Sequence, residues 1–260
     1  MMQAWALVLA DWQEALFNGF VVFLRVGALV AVLPVFGEQS VPQRVRLALA
    51  LAFTMVVTPT IAPSIVIDPA IDPRTGALLL TEVAAGLFWG LLLRFFVIAL
   101  QVAGAIAAQA TSLSQIFGGT AGMEPQPAIG QVLYIAGLAI AASLHLHVMF
   151  ARYIIQSYTL TPMGLLIDAN DVNRLGLSVI AEIFALGFRL AAPFVIASLL
   201  YNLVLGVINR AMPQLMVSFV GAPAITAAGL LILTLSAPIA LAVWADSLFT
   251  FMGNPTGPAR

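Results

Sequence analysis

Apolar positions in this chain run in long stretches, without the strict alternation of a half-buried strand. Proline, glycine and charged residues cut these stretches into about six helical segments. The first runs from about Ala15 to Phe36 and ends at Gly37-Glu38-Gln39-Ser40. Pro42, within Val41 to Arg46, falls where a first helical turn takes proline and opens the second segment, which stops around Thr58-Pro59 and Pro63. Asp68 to Arg74 holds too much proline for a helix. The third segment extends from near Gly76 to about Phe117; unbroken, it would be about 60 Å long, twice a bilayer's hydrocarbon core. A break is therefore expected, and Gly104 is the candidate.

A fourth segment covers about Ala128 to Ile155, and the polar run Asp168 to Arg174 separates it from two closing helices, about Leu175 to Asn209 and Leu215 to Phe251. The tip between them is only Arg210 to Gln214, so these two form an antiparallel hairpin. Both arms exceed the roughly 20 residues of a span. Tilt, kinks at Pro193 and Pro238, or extension beyond the bilayer under partner proteins would each accommodate the excess. The tail, 253–260, has the composition of a disordered end. The pattern predicts an all-α integral membrane protein, a single unit of about six long apolar helices or membrane-derived helical hairpins.

Composition strengthens that prediction. Hydrophobic residues make up 62% of the 260 and charged residues 8%, where a soluble domain carries about a quarter charged. The mean hydropathy is +1.07. A net charge of −1 leaves no basic stripe for nucleic acid. With no cysteine there are neither disulfides nor thiolate metal sites. The N-terminus lacks a basic region, and Asp11 and Glu14 interrupt its apolar stretch, so the first segment is expected to be retained rather than cleaved as a signal peptide. If six segments alternate, Arg44, Arg46 and Arg210 face one side and Arg74, Arg152, Arg174 and Arg260 the other, which sets no orientation.

Ionisable residues inside apolar segments are the default functional candidates. Here they are Arg25, Glu82, Arg94, Glu182 and Arg189. Glu182 and Arg189, seven apart, share a helix face, as a proton or ion relay or as a structural pair. His145 and His147 are the only histidines; on a continuous helix they would point about 200° apart and share no metal, which leaves His147 a packing or polar-contact role. The most unusual stretch is Thr111 to Gln126, holding Ser114, Gln115, Ile116, Phe117, Gly118, Gly119, Gly122, Met123, Glu124 and Pro125. Irregular backbone at membrane depth needs cover from protein or water, so this is either a flexible element of a conduit or a surface connector. It is not a phosphate cradle, since it lacks the lysine and the strand-to-helix context. No nucleophile–base pair, metal cluster or cofactor fingerprint is evident, and neither an enzyme nor a cofactor is expected.

Several stretches together resemble the FliR/SctT family of type III export-gate proteins. Near the C-terminus these are Ala192-Pro193, Asn202, Gly206, Asn209-Arg210-Ala211-Met212-Pro213-Gln214-Leu215 and Gly221-Ala222-Pro223. Upstream, Arg25-Val26-Gly27, Pro34-Val35-Phe36-Gly37, Val41-Pro42 and Arg44-Val45-Arg46 resemble the family's opening, and His147, Ser157-Tyr158 and Pro162-Met163-Gly164 its middle. Two departures are Glu124 before Pro125, where the family commonly has Asp, and His145-Leu146, where it has Asn-Gly.

The resemblance implies a core subunit of the flagellar export gate in the bacterial inner membrane, within the basal body. It would assemble with FliP and FliQ, alongside FlhB and FlhA, among membrane lipids, and pass unfolded flagellar proteins as transient substrates. It further implies a FliP-like part over 1–174, with a central plug loop at about 110–126, and a FliQ-like hairpin over 175–252 whose tip holds Asn209, Arg210, Pro213 and Gln214. Two alternatives are a secondary transporter of a small solute and a subunit of an injectisome rather than a flagellum.

Overall fold

The computed structural model describes residues 2–38, 40–61, 75–110, 128–212 and 217–257. Seven helices form this part: α1 (Met2–Val32), α2 (Gln43–Ile61), α3 (Thr75–Ala110), α4 (Ala128–Ser143), α5 (Leu146–Leu160), α6 (Ala169–Ala211) and α7 (Val217–Gly253). Among the described residues there is no strand. Five helices are long and apolar enough to cross a membrane, and α4 with α5 counts as a sixth span if taken as one broken element. The all-α membrane class and the six segments expected from the sequence are thus observed.

The differences have local causes. α1 stops at Val32, ahead of Phe36, and the chain turns through Pro34 with Val35 left-handed at φ 70°. Pro42 precedes α2, its carbonyl accepting the amide protons of Val45 and Arg46. The fourth segment breaks at Leu144 and His145, the latter at φ 58°. Residues 254–257, which the sequence assigns to a disordered tail, form a turn in which the Gly257 amide donates to the Asn254 carbonyl and Pro255 is buried.

The break expected at Gly104 is absent. α3 continues through it for 36 residues, about 54 Å at 1.5 Å per residue. Gly104 serves packing instead: a Cβ there would lie 2.0 Å from the Cα of Gly130 on α4. The glycine is needed for helix approach, and the backbone does not use its freedom to bend.

Two compact units share these helices. The first comprises Met1–Arg94, Leu144–Leu177 and Thr250–Pro258. Val22, Val26 and Leu29 of α1, Leu33 just after it, Trp89 and Leu93 of α3, and Phe150 and Ile154 of α5 form its dry centre. α1 and α3 approach so closely that a Cβ on Gly86 would fall 2.3 Å from the Arg25 carbonyl oxygen. The second comprises Phe95–Ser143, Ser178–Phe249 and Ala259–Arg260. Its core holds Phe96, Leu100 and Ala103 of α3, Leu133 of α4, Leu186 and Leu190 of α6, and Trp244 of α7. The Trp244 indole donates 2.7 Å to the Phe96 carbonyl, giving its one polar atom a buried partner.

Candidate functional site

Two of the sequence-flagged charges meet inside the first unit. Arg25, on the buried face of α1, and Glu82, on that of α3, are both fully buried. Their pairing is bidentate, Nε to Oε2 at 2.8 Å and Nη2 to Oε1 at 3.0 Å. The fork-to-fork match keeps both charges at a depth where either alone would be prohibitive.

The pair also closes the end of α5. Nη1 of Arg25 donates to the carbonyls of Ser157 (3.2 Å) and Thr161 (2.9 Å) and to the Thr161 hydroxyl (3.3 Å). A cation at this position completes the orphan carbonyls of the last turn and complements the helix dipole. Thr161 Oγ1 accepts the Trp89 indole N–H at 3.0 Å and donates to the Ser157 carbonyl at 2.7 Å. Tyr153 donates its hydroxyl to the Trp89 carbonyl at 3.0 Å. The Tyr158 ring lies under the guanidinium, 3.9 Å from its carbon. Beyond α5, Oε1 of Glu82 accepts the amide proton of Gly164, at φ +78°, so the carboxylate fixes the Pro162-Met163-Gly164 turn as well. Among the described residues the buried Tyr158 hydroxyl has no hydrogen-bond partner.

A smaller clasp lies in the same unit. Arg94 of α3 forms an ion pair with Glu38, in the turn after α1. The Glu38 and Val41 carbonyls accept Nη2 (2.8 Å) and Nε (3.1 Å) of Arg46. Glu38 was not among the sequence candidates because it stands in a polar turn, although its pairing with a charge inside an apolar segment is the same kind of signal.

Glu182 is half-buried and Arg189 exposed on α6, and among the described residues no ion pair joins them. The argument separating His145 from His147 fails, because the helix breaks between α4 and α5: their rings, both exposed, lie 6.0 Å apart. Among the described residues no group of three or more His, Cys, Asp or Glu is placed to hold a metal. Asn209 and Arg210 end α6; Pro213 and Gln214 lie outside the described residues, as do Ser114 to Pro125 and the whole of 111–127. Thr161, Ser157, Trp89 and Gly164 complete the Arg25 network without having been candidates, though Ser157-Tyr158 and Pro162-Met163-Gly164 had carried the family resemblance.

Chemically, the Arg25 network is closed. Every donor on the guanidinium edge facing Glu82 is used, and neither charge touches solvent. This arrangement holds three helices in register and offers a substrate no reactive edge.

The profile of the family described as "Bacterial export proteins, family 1" matches residues 16–251. A protein named flagellar biosynthetic protein FliR from Caulobacter vibrioides is 34% identical over 226 residues, 86% of this chain and 90% of the relative. Proteins of the same name from Aquifex aeolicus and Escherichia coli are 29% and 26% identical, over 87% and 94% of this chain and 88% and 93% of theirs. The chain belongs to family 1 of the bacterial export proteins, the family that includes flagellar biosynthetic protein FliR.

Proposed function

We propose that this chain is a non-enzymatic core subunit of the flagellar type III export gate, held in the inner membrane with FliP and FliQ around a channel for unfolded proteins. The observation that carries the reading, beside family membership, is the uncovered apolar face of α6. Exposed Leu177, Ile180, Phe184, Phe188, Leu199 and Val207 mark it from end to end. Leu177 to Val207 spans about 45 Å, against about 30 Å of hydrocarbon, or about 39 Å for a helix tilted by 40°. The hydrocarbon core is shorter than that face, which supports cover by partner protein over the remainder. In this reading 175–252 is a FliQ-like hairpin lined by partner helices, and half-buried Glu182 and exposed Arg189 meet polar groups of neighbouring subunits. The names of the relatives favour a flagellar gate over an injectisome.

The test is expression with and without FliP and FliQ. The chain should be recovered as a stable species only with them, and a stable, monodisperse monomer purified alone would overturn the reading. The plug role assigned to 110–126 rests on the family resemblance and on the composition of that stretch. Glycines permit rearrangement, and Ile116, Phe117 and Met123 exclude water. Deleting 114–118 should leave the complex assembled and the membrane leaky to ions; an assembled complex with no added leak would make the stretch a connector.

A further inference from the structure

α1, α2 and α3 leave an open groove of about 350 Å³ in the first unit. Phe23, Gly27 and Ala31 of α1 and Leu47 and Ala50 of α2 line it, and Arg46 is the one charged residue on it among the described residues. The groove exists because small residues face one another. A Cβ on Gly27 would meet nothing nearer than the Phe23 ring at 3.8 Å, so the space is open to a larger side chain or a ligand.

Arg46 lacks a described carboxylate partner, as exposed Arg44 and Arg152 do, but it is half-buried. Arg25 and Arg94 each have a carboxylate, whereas Arg46 donates Nε and Nη2 only to the neutral carbonyls of Val41 and Glu38. Among the described residues no carboxylate pairs with it and no group accepts from Nη1. The groove walls belong to two helices with the length and apolarity of membrane spans, Trp12–Val32 and Gln43–Ile61. An occupant must therefore be apolar along its length and anionic at one end.

We propose that this groove binds one anionic phospholipid, an acyl chain lying along Gly27, Ala31 and Ala50 and its phosphate on Arg46. A partner helix would have to carry a carboxylate at the Arg46 end, whereas every anionic phospholipid brings its phosphate there. A volume near the lower end of ligand sites, about 300–1,000 Å³, suits one flexible chain. Basic positions between spanning helices are a recognised setting for anionic head groups. This inference is independent of the export reading.

The test uses the full chain co-expressed with its membrane partners and exchanged into nanodiscs of phosphatidylglycerol or of phosphatidylcholine. Lipid retained after detergent extraction is counted by mass spectrometry. Phosphatidylglycerol should be retained by the unaltered chain and at least tenfold less by Gly27→Leu, which fills the groove, and by Arg46→Gln. Exposed Arg44→Gln should retain it fully, and phosphatidylcholine should not be retained. Equal retention by Gly27→Leu and the unaltered chain, or equal retention of both lipids, overturns the proposal. A photoreactive residue in place of half-exposed Leu47 keeps the question open to refutation if either variant misfolds. A phosphatidylglycerol adduct supports the site, whereas a protein adduct, or no lipid adduct, rejects it.

Discussion

Replacing Glu82 by glutamine preserves its shape and removes its charge, which isolates what the buried pair contributes. The amide oxygen can still accept from Gly164 and from Nη2 of Arg25, as Oε1 does now. The amide nitrogen then takes the place of Oε2 and faces the Nε–H of Arg25, two donors at a position now separated by 2.8 Å. The guanidinium keeps the carbonyls of Ser157 and Thr161 and the Tyr158 ring, so its isolation is incomplete. Breaking a buried pair costs about 3–5 kcal/mol, and these remaining partners put Glu82→Gln near the lower figure. Arg25→Met belongs near the upper one, since it leaves the carboxylate with only the Gly164 amide and uncaps α5. In the double variant Arg25→Met/Glu82→Met no charge is buried. The losses are then the hydrogen bonds of the Thr161 carbonyl and the Gly164 amide, about 1–3 kcal/mol each. The double variant should therefore be less destabilised than the two singles summed, by about 2 kcal/mol or more. Thermal unfolding of the co-expressed complex in detergent, with membrane abundance measured by immunoblot, reads all three against exposed Arg44→Gln. Singles indistinguishable from that control, or an additive double variant, would refute a structural role for the pair.

Three further outcomes follow from the same geometry. Gly104→Ala should force α3 and α4 apart, because its Cβ meets Gly130 backbone at 2.0 Å, and should lower stability by about 2 kcal/mol or more; an unchanged melting temperature would show the crossing to be slack. Glu38→Gln should cost only about 1 kcal/mol, because Arg94 is 31% exposed and Arg46 bonds the Glu38 carbonyl rather than its carboxylate; a loss as large as that of Glu82→Gln would contradict the burial argument. Apart from that geometry, on the proposed FliQ-like hairpin, Arg210→Cys should react with a membrane-impermeant maleimide only from the cytoplasmic side. Labelling from the periplasm alone would reverse the topology.

What the sequence made legible was whatever depends on neighbours along the chain. The apolar segments and the all-α membrane class follow from local pattern and local composition. Gly104 shows where that logic stops. Segment length asked for a break, but the residue that could supply one is held by Gly130, 26 positions away, and only tertiary contact reveals it. His145 fails in the opposite direction: a helix assumed continuous is broken, and two side chains expected on opposite faces come together.

The charges make the division sharper. Periodicity joined Glu182 to Arg189, which form no ion pair, and could not join Arg25 to Glu82, 57 residues apart and tightly paired. Five ionisable residues inside apolar segments looked equivalent in sequence, and the fold separates them by how completely each is satisfied. Arg25 and Glu82 use nearly every hydrogen-bonding group they have within one unit, where their bonds join α1, α3 and α5. Glu182 and Arg189 stand on a helix whose spanning window is only 11% buried. A carboxylate and a guanidinium in that setting are costly in lipid, and the cost is lifted when another chain supplies their partners. Of the charges in the apolar segments, Arg25 and Glu82 are satisfied in the interior, and Glu182 and Arg189 are where the proposed assembly is to be tested.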